Sequence, residues 1–387
     1  MFADGSQCLS RHLCCQTLNG SQFQQETNSL RFNSTLCHSI NGVNIPFREP
    51  VLKKYDVVTC IAPLFGNEQW QQALFAAHIY KKYGSHMHLY IRSMVSTVYD
   101  LLRIYVDEVC WSVKDGVRTT KGIGKILGKQ ESASYIAFMD LDDVLIPRLA
   151  DSYLEEFAHL FHSMPNVAYI HYEKENTRLD VAMHSNKFTL RAMLSTIQFE
   201  KVSETGKMVA NPLYVNHTWI HHPTYVTEGM DRYTVPNHLN AITHLKHMHL
   251  IADGTHKKFS SAPAYRPNTP NQISEKPLLS KRHIDELQLD FERMSSKPEV
   301  ARIFPTLPRR FIYREVIDQC FEDTYYKYHY SGNVKELKCP GPDRCLFPRG
   351  IPCYNSVAKF HSVANSSRLN IHFATDESFK EENGCLP

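Results

Sequence analysis

The sequence predicts an α/β protein: a mostly parallel, twisted sheet flanked by helices, with a Cys-rich C-terminal extension. Three observations carry this expectation. Short apolar runs rich in β-branched residues alternate with helix-period segments between residues 55 and 173. One such run, "YIAFM", ends abruptly in Asp140-Leu141-Asp142-Asp143, at the carboxyl end of a strand, where open α/β sheets bind their ligands. Five of the 11 cysteines, Cys320, Cys339, Cys345, Cys353 and Cys385, crowd the C-terminal end.

"DVVTCIAPLF" reads as a buried strand, and "GNEQWQQALFAAHIYKKYGS" as the helix after it. Asn67 is the expected N-cap, Trp70, Ala73, Leu74 and Ala77 recur at helical spacing, and Gly84 stands at the C-cap. "HMHLYIR" alternates as a strand, "STVYDLLRIYV" is a helix and "EVCWSV" a strand. A short helix in "GKILGKQESA" leads to "YIAFM". "PRLADSYLEEFAHLFHSM" reads as a helix with Pro147 in its first turn, and "NVAYIHYE" as the next strand. Beyond 173 the pattern loosens. "GKMVANPLYVNHTWIHHP" holds a strand-like stretch ending in His221-His222, and "NHLNAITHLKHMHL" gathers His238, His244, His247 and His249. The expected division is a polar stem or linker at 1–50, the α/β domain at 51–300 and a disulfide-braced extension at 301–387.

A chain of 387 residues, 42% hydrophobic and 21% charged, is long enough for a large core. Its net charge of +3, without basic blocks interleaved with aromatics, argues against a nucleic-acid partner. No stretch approaches the ~20 apolar residues of a membrane span, and the first residues do not read as a signal peptide. The cysteines, and sequons at Asn19, Asn33, Asn216 and Asn365, nevertheless fit an oxidising secretory compartment. There is no Walker or Gly-x-Gly-x-x-Gly motif; Gly122-Ile-Gly124 is too short to count.

Asp140 and Asp142 stand at i, i+2, so on an extended chain they point the same way. Two hard oxygen ligands on one side suit Mg²⁺ or Mn²⁺ and leave positions open for a diphosphate. That is the chemistry of an Asp-x-Asp glycosyltransferase. A solvated acidic turn is the plain alternative. "FMDLDDVL" also fits the signature of haloacid-dehalogenase-type phosphatases, with Asp140 as nucleophile. That reading needs a later acidic pair after an apolar strand, and "HLIADGTHKK" supplies only Asp253.

Several segments, taken in order, resemble glycosyltransferase family 92, the galactosyltransferase-like proteins of nematodes. They are "VTCIAPLFGNEQW", "YKKYGSHMHLYIRSMVSTVYDLLRIY", "YIAFMDLDDVLIPR", "TGKMVANPLYVNHTWIHHP" and "AITHLKHM". The resemblance implies a GT-A fold, a UDP-sugar donor, Mn²⁺ (or Mg²⁺), and inverting transfer, of galactose in the first instance, to a glycan or glycoprotein. It also implies a Golgi enzyme held by an N-terminal membrane anchor, and no such targeting segment is visible in this chain. Carried onto this sequence, it places the metal and diphosphate at Asp140 and Asp142, with Asp143 orienting the donor. His244 is the first choice for an additional metal ligand and His221 the second. Lys246, where members carry arginine, and Lys207 are expected at phosphates, with Pro63 and Phe65 bordering the uridine. Glu204 is the expected base, ahead of Glu200. The segment 118–131 is shorter than the resemblance leads one to expect and lacks an Asp-Cys pair. The alternative is therefore an impaired relative that only binds nucleotide or glycan.

Overall fold

The computed structural model describes residues 55–108, 111–115, 133–202, 206–218, 221–252, 278–333, 344–364 and 370–387, short strands within 24–46, and single positions between 335 and 341. The central sheet grows from β1 (Tyr55–Leu64), whose alternate residues Val57, Thr59 and Ile61 are buried. Next comes α1 (Trp70–Lys82), buried over Trp70–Tyr80. A helix this apolar must be covered on more than one side. β2 (Ser85–Ile91), β3 (Ser93–Val95), α2 (Ser96–Glu108), β4 (Trp111–Asp115) and β5 (Ala133–Met139) follow. β4, β2, β1 and β5 lie side by side, all parallel. That matches the expected mostly parallel sheet with helices between strands.

The remaining strands complete the sheet and add a second. After β6 (Asp143–Val144) and α3 (Tyr153–Ser163) come β7 (Val167–Tyr172) and β8 (Lys174–Ala182). α4 (Leu190–Ser195), β9 (Gln198–Val202), β10 (Lys207–Ala210), β11 (Val215–Thr218), β12 (Pro223–Val226), β13 (Asp231–Val235) and β14 (Ile242–Ile251) continue the chain. β10 inserts antiparallel between β5 and β7, and β13 closes that edge, so the seven-stranded sheet is mixed. The second sheet has the order β9-β8-β14-β6. Its smallest strand, β6, is part of the Asp140–Asp143 stretch.

The C-terminal segment packs into the same core. α5 (Lys281–Ser295) buries Leu287, Phe291 and Met294, and its Asp290 receives His78 and Lys81 of α1 at 2.8 and 2.7 Å. α6 (Pro298–Ile303) and α7 (Tyr313–Phe321) follow, then the hairpin of β15 (Pro352–Ala364) and β16 (Asn370–Asn383), which adds to β3. The expected bracing is present as Cys320–Cys345 and Cys353–Cys385. Cys339 and all four sequon side chains lie outside the described residues.

Two local expectations change. Asn67 does not cap α1; its backbone bridges the start of β3, with its N–H donating to Ser93 O at 3.2 Å and its C=O accepting from Val95 N at 3.0 Å. Ser152, rather than the turn at Pro147, starts α3, its hydroxyl oxygen accepting from Glu155 N at 3.2 Å. Residues 147–151 stay outside the helix because buried Glu156 takes the N–H groups of Arg148 and Leu149, at 2.7 and 2.9 Å. Gly84, by contrast, ends α1 as expected, at φ +81°. The expected helix in "GKILGKQESA" lies outside the described residues.

Gly66 marks where the first turn meets α7. A Cβ there would come within 3.0 Å of Tyr313 and 2.9 Å of Phe347, and its φ is +51°. Beside it, buried Glu68 accepts from Arg314 N at 3.1 Å and fastens the start of α7 to the turn after β1. Burial pushes the Glu68 carboxyl from 4.5 up to about 7, although backbone N–H groups of α7 pull the other way. Between those values the folded protein keeps a proton that the unfolded chain has released, so stability falls as pH rises through the window. The size is about 3 kcal/mol. We expect the wild-type stability, measured by urea denaturation relative to Glu68→Gln, to drop by about that amount from pH 4.5 to pH 7.5. A pH-independent difference would contradict the assignment.

Candidate active site

The apolar strand β5 delivers Asp140 to its carboxyl end, but the chain does not stay extended there. It turns at Leu141-Asp142, with Asp143 N donating to Asp140 O at 3.2 Å. The i, i+2 alignment of Asp140 and Asp142 expected for a strand is therefore lost. The turn separates the carboxylates into two settings.

Asp140 faces Lys207. The ammonium lies 2.6 Å from Asp140 Oδ2, and the lysine side chain is 1% exposed. Lys207 is held there by backbone contact: β10 pairs it with Tyr172, and a Cβ on the preceding Gly206 would meet Tyr172 O at 1.8 Å. His221 is on this side too, its Nδ1 2.9 Å from Gly206 O. Burial and the Lys207 charge hold its imidazole below the ordinary histidine range, against the pull of Asp140.

Asp142 and Asp143 face His244. β6 pairs with β14 so that Asp143 and His244 stand opposite each other, and Leu245 N donates to Asp142 O at 2.8 Å. His244 Nε2 lies 3.5 Å from Asp142 Oδ2 and 4.0 Å from Asp143 Oδ1. Its Nδ1 is 2.7 Å from Asn176 Oδ1 on β8. With the amide oxygen accepting, Nδ1 carries the proton and Nε2 turns its lone pair to the carboxylates, as in metal-ligating histidines. Helix α1 fixes both backbones: Gln72 Nε2 donates to Leu245 O at 3.2 Å and Tyr80 OH to Asp143 O at 3.1 Å. Among the described residues, Asp142, Asp143 and His244 form the cluster able to hold a metal ion, their ligand atoms all within 4.8 Å of one another.

The electrostatics fit a cation. Asp143 has no exposed side-chain surface, and neither carboxylate oxygen has a hydrogen-bond partner. Lys174 at 3.6 Å and Lys207 at 3.8 Å approach it, besides His244 Nε2 at 4.0 Å. Burial, then repulsion from Asp142, raises Asp143 to about 6 despite Lys174. For Asp142, burial opposes ionisation, but with no metal present a doubly protonated His244, by its hydrogen bond and charge, helped by Lys174 and Arg314, outweighs it and holds the carboxyl below its ordinary value; a bound ion would take the place of the Nε2 proton. Unit charges ~4 Å apart at an effective dielectric of ~20 interact by about 4 kcal/mol. Two ammonium groups therefore cannot fully compensate three carboxylates at similar distances. A hard divalent cation is the kind of ion this donor set takes.

A cleft open to solvent runs past Asp142. Phe65 and the turn through Gln69 form one wall, and Arg314, Ile317 and Asp318 of α7 the other. Phe65 is in that lining, while Pro63, half-buried in β1, is not. The Lys246 side chain is exposed, and its carbonyl, not its ammonium, is engaged, accepting from Arg314 Nη2 at 2.7 Å. Glu204, Asp253 and the whole of 118–131 lie outside the described residues. Glu200 pairs with Arg178 at 2.9 Å. Lys174, Asn176, Glu68 and Arg314 were not singled out from sequence. Lys174 and Asn176 share one strand at alternate positions, a signal readable only once β8 is known to pair with β14.

Gly206 gives a direct test of this geometry. Gly206→Ala should destabilise the protein by at least ~2 kcal/mol through backbone overpacking. Gly229→Ala, at φ +80° in open space, should cost only about 1 kcal/mol. Equal losses in denaturation would contradict the close approach.

Among the described residues no helix is long and apolar enough to cross a membrane. A comparison with solved structures finds the crystal structure of S. aureus TarS 1-349, covering 41% of this chain and 47% of that one at 11% identity and a TM-score of 0.26. An overlap so slight carries no argument. Sequence relatives say more. A glycosyltransferase family 92 protein of Caenorhabditis elegans is 37% identical over 368 residues, which cover 89% of this chain and 72% of the relative. A second from the same organism is 35% identical, covering 88% and 71%. The profile of Glycosyltransferase family 92 matches residues 55–109 and 126–295, a span that takes in the central sheet apart from its edge strand β4, the Asp140–Asp143 turn and His244. The chain belongs to glycosyltransferase family 92.

Proposed function

We propose that this protein is a metal-dependent glycosyltransferase that moves a sugar, galactose in our reading, from a UDP-sugar to a glycan hydroxyl with inversion. The observation that carries the reading is the meeting of Asp142, Asp143 and His244 beside an open cleft in a family 92 chain. Asp142, Asp143 and His244 Nε2 would hold Mn²⁺ or Mg²⁺. The chemistry such an ion supplies is neutralisation of the donor's two phosphates as the glycosidic bond breaks.

The chain's own residues prepare the rest. Asn176 fixes the His244 tautomer. Lys207, sealed from solvent, orients Asp140 at the edge of the turn instead of reaching out to a phosphate. Asp140 then supplies a carboxylate toward the donor. His221, on the Asp140 side, supports that arm through Gly206. Phe65 borders the nucleotide base with Pro63 behind it, and Lys246 stays at the rim. Glu204 is our candidate to take the acceptor's proton, since an inverting transfer needs one base. We assign the protein to the Golgi or another secretory lumen, with a polar stem at 1–50, the catalytic unit at 51–300 and the extension at 301–387. The disulfides support an oxidising compartment. The phosphatase reading of Asp140 is given up, because the family is one of glycosyltransferases.

The test is release of UDP from UDP-galactose across a panel of glycan acceptors, with Mn²⁺ or EDTA. Wild type should turn over only with metal, and Asp142→Ala should lose at least ~100-fold in kcat/KM, or ~2.7 kcal/mol. Nucleotide binding without turnover on any donor or acceptor would favour the impaired relative. Turnover unchanged by EDTA would contradict the metal site.

A further inference from the structure

We infer that Arg314 is a donor-binding residue that contacts the diphosphate of the nucleotide sugar, delivered to the site by the C-terminal helix α7. The inference rests on the nucleotide-sugar reading above and adds a residue from outside the span that the family profile matches.

The geometry is specific. Arg314 lines the same cleft as Asp142, across from the turn after β1. The guanidinium is only partly engaged. Nη2 donates to Lys246 O at 2.7 Å, and Nε lies 3.5 Å from Asp318 Oδ2. Among the described residues Nη1 makes no hydrogen bond, and 23% of the side chain is exposed. A planar fork with free donors, oriented by its other nitrogens, suits a phosphate better than a point charge does.

Its position is also held. Tyr313, fully buried, donates to Pro348 O and accepts from Cys385 N, each at 3.1 Å. Glu68 takes the N–H of Arg314. Cys320, within the helix, is tied to Cys345, and the Cys353–Cys385 disulfide meets the Tyr313 hydroxyl. An arginine on a loose surface helix would carry no such restraint.

Charge explains the need. Three carboxylates against Lys174 and Lys207 leave the site one negative charge, so a single divalent ion gives it a surplus of only one positive charge. A departing nucleoside diphosphate gains negative charge as its bond to the sugar breaks. Arg314 brings a positive charge to the cleft, offset in part by Asp318 at 3.5 Å.

Calorimetric titration of UDP and of Mn²⁺ alone, on wild type, Arg314→Ala and Arg314→Lys, tests this. We expect UDP affinity with Mn²⁺ to fall at least tenfold in Arg314→Ala and by less in Arg314→Lys, with Mn²⁺ affinity and melting temperature unchanged. Wild-type UDP affinity in Arg314→Ala would overturn the inference and leave the glycosyltransferase reading standing. A parallel loss of Mn²⁺ affinity, or of folding in both variants, would also overturn it, because the residue would then act by supporting β14. If wild type binds no UDP, the underlying reading falls and the inference with it.

Discussion

Asp143 is a carboxylate with no access to water and no hydrogen bond, set between two other aspartates. An ionised group in that position is costly by several kcal/mol unless charge of the opposite sign is brought to it. Much of the surrounding structure supplies that charge. Lys174 arrives on β8 and Lys207 on β10, from different sheets, and both come within 4 Å of Asp143. Each lysine is itself largely buried, so neither could be placed there without the carboxylates. The pairs are mutually dependent, and removing one partner would strand the other.

The same crowding dictates the backbone. The turn at Leu141-Asp142 divides the carboxylates between Lys207 and His244. A two-residue strand, β6, docks the turn on β14, and α1 clamps both backbones through Gln72 and Tyr80. Downstream, buried Glu156 accepts from Tyr172 OH and Asn240 Nδ2, at 2.8 and 2.9 Å, besides two backbone N–H groups. A fully partnered buried carboxylate of this kind fixes the exit from the site. The contrast with unpartnered Asp143 is chemical: one carboxylate serves as an internal cap, the other keeps its oxygens open.

Much of this was legible in the sequence. The alternation of strands and helices from residue 55 to 173 is local information, and it located β1, α1, β2, α2 and β5 because their apolar periods are strong. Gly84 and the Asp140–Asp143 stretch were readable for the same reason. Asn67 and Pro147 were misread because tertiary partners, the start of β3 and the Glu156 carboxylate, outbid local capping preferences. The i, i+2 geometry failed because nothing in "MDLDD" announces that the strand ends at Met139. His244 was found by resemblance, while its orienting partner Asn176 and the lysine Lys174 were not, since parallel pairing of β8 with β14 joins segments about 68 residues apart. Arg314 is further still, in a helix whose place at the cleft depends on Tyr313, Glu68 and two disulfides.

The central claim is that Asp142, Asp143 and His244, not Asp140, hold the metal. Anomalous diffraction at the manganese edge, from crystals grown with Mn²⁺ and UDP, tests it most directly. The account predicts one strong peak within bonding distance of Asp142 and His244 Nε2 and beside Asp143, with Asp140 still on Lys207. A peak bridged by Asp140 with His244 remote, or no peak in crystals that show UDP, would contradict it.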